Sequence, residues 1–332
     1  MRYLRYLLFP FAVLYGCIMS VRNFLYNVNI FKSTAFTIPV ICVGNLSTGG
    51  TGKSPMIELL VRILAPNYKI ATLSRGYKRT TRGFLEVSSS HPSTEVGDEP
   101  LQFKTNFSDL IVAVDENRRR GISTLLGNYP ELEVVLLDDA FQHRKVKPRC
   151  SILLTTYDDL YTKDFVLPTG NLREFQTGAK RAEFIIVTKC PQSISEKKQF
   201  EIAKQIRPKT YQTLLFSSIF YSEFVISQGK RKALKNFNNF SLVTGIANPK
   251  PLVKHLNSLK KTFDHIKFPD HHEFSEKELE LLQQKDTILT TQKDYVRLKS
   301  KLEVKNLYYL PIESKILNNA IAFENTLMKH LA

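Results

Sequence analysis

Residues 39–55 read PVICVGNLSTGGTGKSP, and no other stretch restricts the fold of this chain so strongly. A short β-branched run (Val40, Ile41, Val43) breaks into glycines and ends in Gly52-Lys53-Ser54; apolar residues then recur at helical spacing (Met56, Ile57, Leu60, Ile63, Leu64). Strand, glycine loop and helix in that order describe an anion cradle. Glycines at 49, 50 and 52 permit positive φ and bring backbone N–H groups close to a phosphate. Lys53 supplies a fixed charge, Ser54 a hydroxyl for Mg²⁺, and the following helix the positive end of its dipole. The loop Ser47, Thr48, Gly49, Gly50, Thr51, Gly52, Lys53 and Ser54 is therefore expected to hold the phosphates of ATP. The usual pattern has Gly where this chain has Ser47. The competing explanation is a glycine-rich turn with Lys53 merely solvated; the strand before and the helix after favour the nucleotide.

The 332 residues suffice for one large or two modest domains with a substantial core. Lys and Arg number 47 against 31 Asp and Glu, a net charge of +16 that asks for an anionic partner: nucleic acid, anionic lipid or a phosphorylated substrate. Cys17, Cys42, Cys150 and Cys190 are widely spaced, which excludes a C-x-x-C framework and points to reduced thiols in a cytosol-facing protein. Residues 6–21 carry no charge, with Arg2 and Arg5 before them and Arg22 after. As a helix that segment reaches about 24 Å, short of a hydrocarbon core about 30 Å thick. It is expected to lie in or dip into one leaflet with its arginines at headgroup level; a buried core helix and a cleaved signal are the alternatives.

Beyond the loop, a helix over 53–65 stops near Pro66. Apolar strands follow at 68–73, 110–114, 133–138, 151–155 and 183–188, with a short strand at 84–87 and a helix from Val96 to about residue 106. Nearly continuous apolar strands alternating with helices predict a parallel sheet covered on both faces. Residues 213–227 read as a strand pair or ribbon. Alternation then resumes, with strands around 239–245, 262–268 and 286–291, helices from 248, over 275–284 and over 292–301, and a last helix over 316–331. The expected fold is α/β. A P-loop NTPase-like parallel sheet domain (31–221) follows a membrane-associating helix (1–30) and is joined by a β-ribbon hinge to a smaller α/β domain (222–332).

The strand over 133–138 ends in Asp138-Asp139. Ligands of such sheets sit off the carboxyl ends of the strands, so this pair is expected to hold Mg²⁺ directly or through water; an exposed turn is the alternative. His143 follows closely but earns no role from the residues alone. Asp98 and Glu99 open a helix, where capping is the simpler role and acceptance of a proton from a hydroxyl the functional one. Adjacent His271 and His272 point opposite ways in an extended chain and lack a third ligand nearby, which favours a catalytic or polar role for one of them over zinc. Arg173 has the fork to anchor a phosphate or carboxylate, unless it pairs with Glu174 at the surface. No stacking-aromatic motif or recognition helix is present, so nucleic acid is not an expected partner.

Eight segments then come together: VGNLSTGGTGKSP (43–55), LSRGYK (73–78), VGDEP (96–100), LLDDAFQHR (136–144), LPTGNLRE (167–174), TGIANPKP (244–251), FPDHH (268–272) and TQKDYVRL (291–298). In that order the chain resembles the tetraacyldisaccharide 4′-kinase family, the lipid A 4′-kinases of Gram-negative bacteria, in which Ser47 in place of the first glycine is usual. The resemblance implies ATP and Mg²⁺ as cofactors. It implies transfer of the γ-phosphate to the 4′-hydroxyl of a membrane glycolipid, a tetraacyldisaccharide 1-phosphate, to give lipid IVA at the cytoplasmic face of the inner membrane. Asp98 becomes the base, paired with His271, or with His272 if the match is off by one. Asp138 and Asp139, with Ser54, hold or orient Mg²⁺, with Gln142 and His143 close by; Arg118, Arg173 and Glu174 contact substrate or phosphate. A nucleic-acid-stimulated NTPase and a non-catalytic nucleotide-binding protein of the membrane surface share the loop and the charge and remain the rival classes.

Overall fold

A computed structural model describes residues 3–270, 272–299, 301–302 and 306–331. The strands are β1 (Val40–Asn45), β2 (Ile70–Ser74), β3 (Leu85–Glu86), β4 (Ile111–Val114), β5 (Val134–Asp138), β6 (Cys150–Thr156), β7 (Phe184–Thr188), β8 (Thr213–Tyr221), β9 (Phe224–Ser227), β10 (Lys230–Ala233), β11 (Phe240–Thr244), β12 (Phe263–Lys267), β13 (Ile288–Thr290), β14 (Leu307–Tyr309) and β15 (Ile312–Ile316). The helices are α1 (Phe9–Asn27), α2 (Lys53–Leu64), α3 (Ser93–Val96), α4 (Asp98–Asn106), α5 (Arg118–Asn128), α6 (Glu196–Ile206), α7 (Lys250–Ser258), α8 (Glu276–Gln283), α9 (Gln292–Leu298) and α10 (Ala320–Leu331).

Nine strands form one sheet in the order β15-β8-β7-β6-β1-β5-β2-β4-β3. The strands from β8 to β4 run parallel, and β15 and β3 close the two edges antiparallel. The uninterrupted apolar strands of the sequence follow from cover on both faces. Ile41, Val43, Val134 and Leu136 pack with Ile57 and Leu60 of α2. Their neighbours Val40, Cys42, Val135 and Leu137 pack with Ile122 and Leu125 of α5. Because side chains alternate between faces, both sets must be apolar. A second sheet, β10-β9-β14-β13-β11-β12, is built in the same way, with Leu252 and Leu256 of α7 on one face and Leu282, Tyr295 and Leu298 of α8 and α9 on the other.

Two expectations are corrected. The strands within 213–227 do not pair with each other. β8 continues the large sheet beside β7, β9 pairs with β10 and β14, and the antiparallel partner of β8 is β15. The chain thus crosses between the sheets twice, side by side, with Ser222 N–H bonded to Pro311 O at 3.0 Å. The last helix begins at Ala320 rather than 316, since Ile312–Ile316 is that edge strand. α10 buries Phe323, Leu327 and Leu331 against the large sheet, with the Phe323 ring edge-on to Phe184 at 5.3 Å. Residues 312–331 therefore pack on the large sheet.

α1 reverses the usual amphipathic logic. Leu7 just before it and Phe11, Leu14, Ile18, Val21 and Phe24 along it are exposed. The contact to the body joins small buried residues, Ala12 and Gly16, to polar ones: Tyr15 Oη donates to Arg173 O at 2.8 Å, Arg22 to Gln142 O at 3.0 Å, and Asn23 to Glu174 at 2.7 Å. Only 11% of the apolar window within Arg5–Asn27 is buried, which rules out the core-helix alternative. The helix starts at Phe9 with Pro10 in its first turn, where the missing N–H costs nothing. All four cysteines are free thiols.

Candidate active site

β1 is the central strand, flanked by β5 and β6, and Val43 stands in register with Asp138. The loop leaving β1 and the carboxyl end of β5 therefore open at one edge, where the connections diverge to either side and α/β sheets receive ligands. Gly49 and Gly52 take φ values of 110° and 87°, which only glycine adopts without strain, and α2 begins at the next residue, Lys53. A side-chain carbon at Gly49 would meet nothing within 4 Å, so the loop faces open space. The loop is pinned from outside by LPTGNLRE: Thr48 N–H donates to Asn171 O (2.7 Å), Arg173 N–H to Leu46 O (2.7 Å), and Ser47 bridges to Leu172. Thr188 Oγ1 bonds Thr51 O at 2.7 Å and Lys189 Nζ bonds Gly50 O. Ser54 is buried at the start of α2, and the Thr51 hydroxyl is buried without a partner.

The two carboxylates are not equivalent. Asp138 ends β5, is 6% exposed, and has a buried Oδ1 with no hydrogen-bond partner. Burial, and then the charge of Asp139, push its carboxyl up to about 7 against the pull of Lys53. Asp139 turns away with φ 48° and is gripped by the Arg173 fork at 3.0 and 3.3 Å, with Lys53 Nζ at 3.7 Å. Burial opposes its ionisation, but Lys53 and Arg173 outweigh it and hold the carboxyl below its ordinary range. A nucleotide-bound Mg²⁺ takes one or two carboxylates and keeps its other positions for phosphate and water. The unpartnered Asp138 oxygen fits that demand. Among the described residues no group of three or more His, Cys, Asp or Glu forms a cage that would hold a metal without the nucleotide.

The remaining candidates separate. Gln142 Nε2 bonds Asn45 O and Glu174 Oε1, both at 3.0 Å, and so acts as a strut behind the loop. Glu174, 1% exposed, also accepts from Arg181 and Asn23 at 2.7 Å; the surface pair of Arg173 with Glu174 does not form. Arg118, 3% exposed, donates to Asp115 O (3.0 Å) and Asp138 O (3.4 Å) and so backs the end of β5. Burial and the Arg118 charge bring His143 down to about 4, so its imidazole is neutral at pH 7, and its buried Nε2 lacks a partner.

α4 packs against α9 of the smaller sheet. Gly97, φ 94°, lies against Gly76, where a side-chain carbon would meet Gly76 Cα at 3.2 Å; this close approach aims the first turn of α4. Asp98 and Glu99 lie in that turn but do not cap it. Arg297 donates to Asp98 Oδ2 through Nε (2.8 Å) and Nη2, and Lys293 Nζ sits 2.6 Å from Glu99 Oε1. His272 bonds Glu278 at 2.9 Å and stacks on Phe268; His271 lies outside the described residues. Lys189, Lys293 and Arg297 carry no role in the motifs read from the sequence. The two cations four apart in TQKDYVRL were the signal for the last two, since that spacing puts both on one helix face.

A glycine loop off the central strand of a parallel sheet, opening a helix beside carboxylates from the next strand, is the arrangement of nucleotide-binding α/β proteins. Comparison with known proteins narrows the class. The family model for tetraacyldisaccharide-1-P 4′-kinase matches residues 4–332. A tetraacyldisaccharide 4′-kinase of Flavobacterium johnsoniae is 48% identical over 100% of this chain and 98% of its own length. One from Bacteroides thetaiotaomicron is 42% identical over 94% of this chain and 89% of its own. A crystal structure of the "apo" form of LpxK from Aquifex aeolicus in complex with ATP matches with a TM-score of 0.81 at 28% identity, covering 99% of this chain and 100% of that one. The chain belongs to the tetraacyldisaccharide-1-P 4′-kinase family.

Proposed function

We propose that this chain transfers the γ-phosphoryl group of ATP to the 4′-hydroxyl of a tetraacyldisaccharide 1-phosphate, the reaction for which its relatives are named. The observation that carries this reading is the pairing of Lys53, at the start of α2 and 3.7 Å from Asp139, with an unpartnered buried oxygen of Asp138 beside it; Asp98 on α4, its carboxylate paired to Arg297, supplies the base. The Ser47–Ser54 amides and Lys53 bind the β- and γ-phosphates. Asp138 and Ser54 would hold Mg²⁺, which would supply charge neutralisation at the phosphates. Asp139, fixed by Arg173, keeps Lys53 in place. Asp98 accepts the proton of the acceptor hydroxyl as its oxygen bonds to phosphorus; the bond to the β–γ bridging oxygen breaks and ADP departs with that electron pair. His271 is assigned as the partner of Asp98. Neutral His143 is placed to hydrogen-bond the acceptor, while Gln142, Glu174 and Arg118 position the groups in front of them.

The acceptor is a glycolipid, and α1 supplies the matching surface. Its apolar face is bare, while Arg22 and Asn23 tie it to Gln142 and Glu174 directly behind the loop. We place the protein at the cytoplasmic face of the inner membrane, where ATP is available and where the +16 charge favours anionic headgroups. The paired crossing strands β8–β9 and β14–β15 are read as the hinge between a larger and a smaller domain. The test is incubation with γ-labelled ATP, Mg²⁺ and a detergent-dispersed lipid A precursor. Label in the lipid is expected; an unlabelled lipid beside ATPase activity stimulated by RNA or DNA overturns the reading. Deleting residues 1–25 should shift the protein from the membrane to the soluble fraction on cell fractionation, and unchanged sedimentation with membranes counts against the anchor.

A further inference from the structure

We infer that the Lys293 ammonium, carried by α9 of the six-stranded sheet, is a further catalytic group: it binds the oxygens of the γ-phosphoryl group as that group passes from ADP to the acceptor alcohol. The inference rests on the kinase reading above.

Three ammonium groups come to the site from three different elements. Lys53 comes from α2, Lys189 from the end of β7 with its Nζ on Gly50 O, and Lys293 from the opposite sheet, 2.6 Å from Glu99. They lie within each other's field. Burial, and then the charges of Lys293 and Lys53, make the Lys189 ammonium harder to keep protonated. Lys293 also acts on Asp138, and its own proton is held against burial by Glu99, Asp98 and Asp138. Cations packed this closely repel one another, and a multiply charged anion placed among them relieves that repulsion.

A clamp between α4 and α9 is the simpler role for Lys293, and the structure already provides one without it. Arg297 binds Asp98, and Gln292 and Asn106 exchange amide hydrogen bonds across the same helix pair. What Lys293 adds is a positive charge that the large sheet does not own. That charge reaches the phosphates only when the two sheets are together, which joins closure to charge stabilisation and leaves ATP unactivated while the cleft is open. Lys293 stays protonated throughout: it makes hydrogen bonds to the phosphoryl oxygens and exchanges no proton with substrate.

The experiment compares wild type, Lys293→Met, Lys293→Arg and Gln292→Ala in the lipid-labelling assay, with Mg²⁺·ATP affinity and Tm measured on each. Lys293→Met should lower kcat by about 10²–10³-fold with nucleotide affinity close to wild type, and Tm should fall because Glu99 loses its ion-pair partner. Lys293→Arg should recover part of that loss, and Gln292→Ala, which loosens the same helix pair, should keep kcat near wild type. The assignment is overturned by normal kcat in Lys293→Met, by an equal loss in Gln292→Ala, or by a loss confined to KM or Tm. Should Lys293→Met fail to fold, Lys293→Gln carries the same comparison. A wild type that leaves the lipid unlabelled removes the kinase reading itself, whereas a labelling wild type with an unimpaired Lys293→Met removes only the role of Lys293.

Discussion

The two walls of the cleft are built on opposite principles. On the large-sheet wall, buried polar atoms lack partners: Thr51 Oγ1, Asp138 Oδ1, Arg118 Nε and His143 Nε2. On the α9 wall the buried polar groups are paired. Asp294, fully buried, accepts from Gly245 N–H at 2.9 Å, from the Thr291 hydroxyl at 2.7 Å and from Arg297 at 3.1 Å, and Arg297 in turn holds Asp98. Each unpartnered buried polar atom costs about 1–3 kcal/mol. Several around one loop are a cost that a ligand offsets; a paired wall is a scaffold that delivers charges already in place. On the proposed function, the difference separates the surface that binds from the surface that closes.

The most damaging change to the binding wall is Lys53→Ala. It removes the fixed charge at the start of α2 and also frees Asp139 from one of its two cations. Label transfer to lipid should fall to background, and Mg²⁺·ATP should no longer raise Tm; normal turnover would break the contrast between the walls at its centre. Next is Asp98→Ala, on the border between the two. Loss of the proton acceptor should lower kcat by about 10²–10⁴-fold with ATP affinity little changed. A change confined to KM would return Asp98 to a purely structural pairing with Arg297.

A smaller effect tests the unpartnered state of Asp138 directly. A free aspartate titrates near 4, and in the folded, ligand-free protein this one titrates at about 7. Between those values the native state keeps a proton that the unfolded chain has lost. Its stability therefore falls as pH rises through the window and stays reduced above it. His143, brought down to about 4, contributes the opposite slope in the lower part of that range, so the comparison must be with a variant rather than with wild type alone. Asp138→Asn should raise Tm by a few degrees at pH 8, with the difference vanishing near pH 4. Parallel Tm–pH profiles would show that Asp138 is solvated or paired after all.

Much of the binding wall was legible because its chemistry is contiguous. Ser47–Ser54 and Asp138-Asp139 each lie in one short segment beside a strand whose apolar pattern places it in the sheet. The α9 wall was not. Asp98 and Glu99 read as helix caps because capping is the local option, and their partners Arg297 and Lys293 stand 199 and 194 positions away. The pairing of β8 with β15 was hidden for the same reason: 213–227 has the alternation of a strand pair, but nothing local says that the partner is the segment just before the last helix. Gln142 and Glu174 sat in the right motif, yet the sequence does not reveal that their polar atoms are spent on Asn45, Arg181 and Asn23.

The smallest predicted effect concerns His272, the alternative partner of Asp98, and it sharpens the contrast from the paired side. Its Nε2 is bonded to Glu278, and its ring stacks on Phe268 at 4.9 Å and meets Phe274 edge-on at 5.3 Å. Glu278 is also held by Ser275, whose side chain and backbone complete the capping box of α8, so that helix start survives loss of the imidazole. His272→Ala should cost about 1 kcal/mol in lost ring contacts, read as a small drop in Tm, with kcat for lipid labelling close to wild type. If His272 were the group that works with Asp98, its removal would also reproduce the Asp98→Ala loss in kcat. Only kcat differs between the two assignments, so a single variant decides whether the FPDHH segment serves the site through His272 or leaves that work to its neighbour.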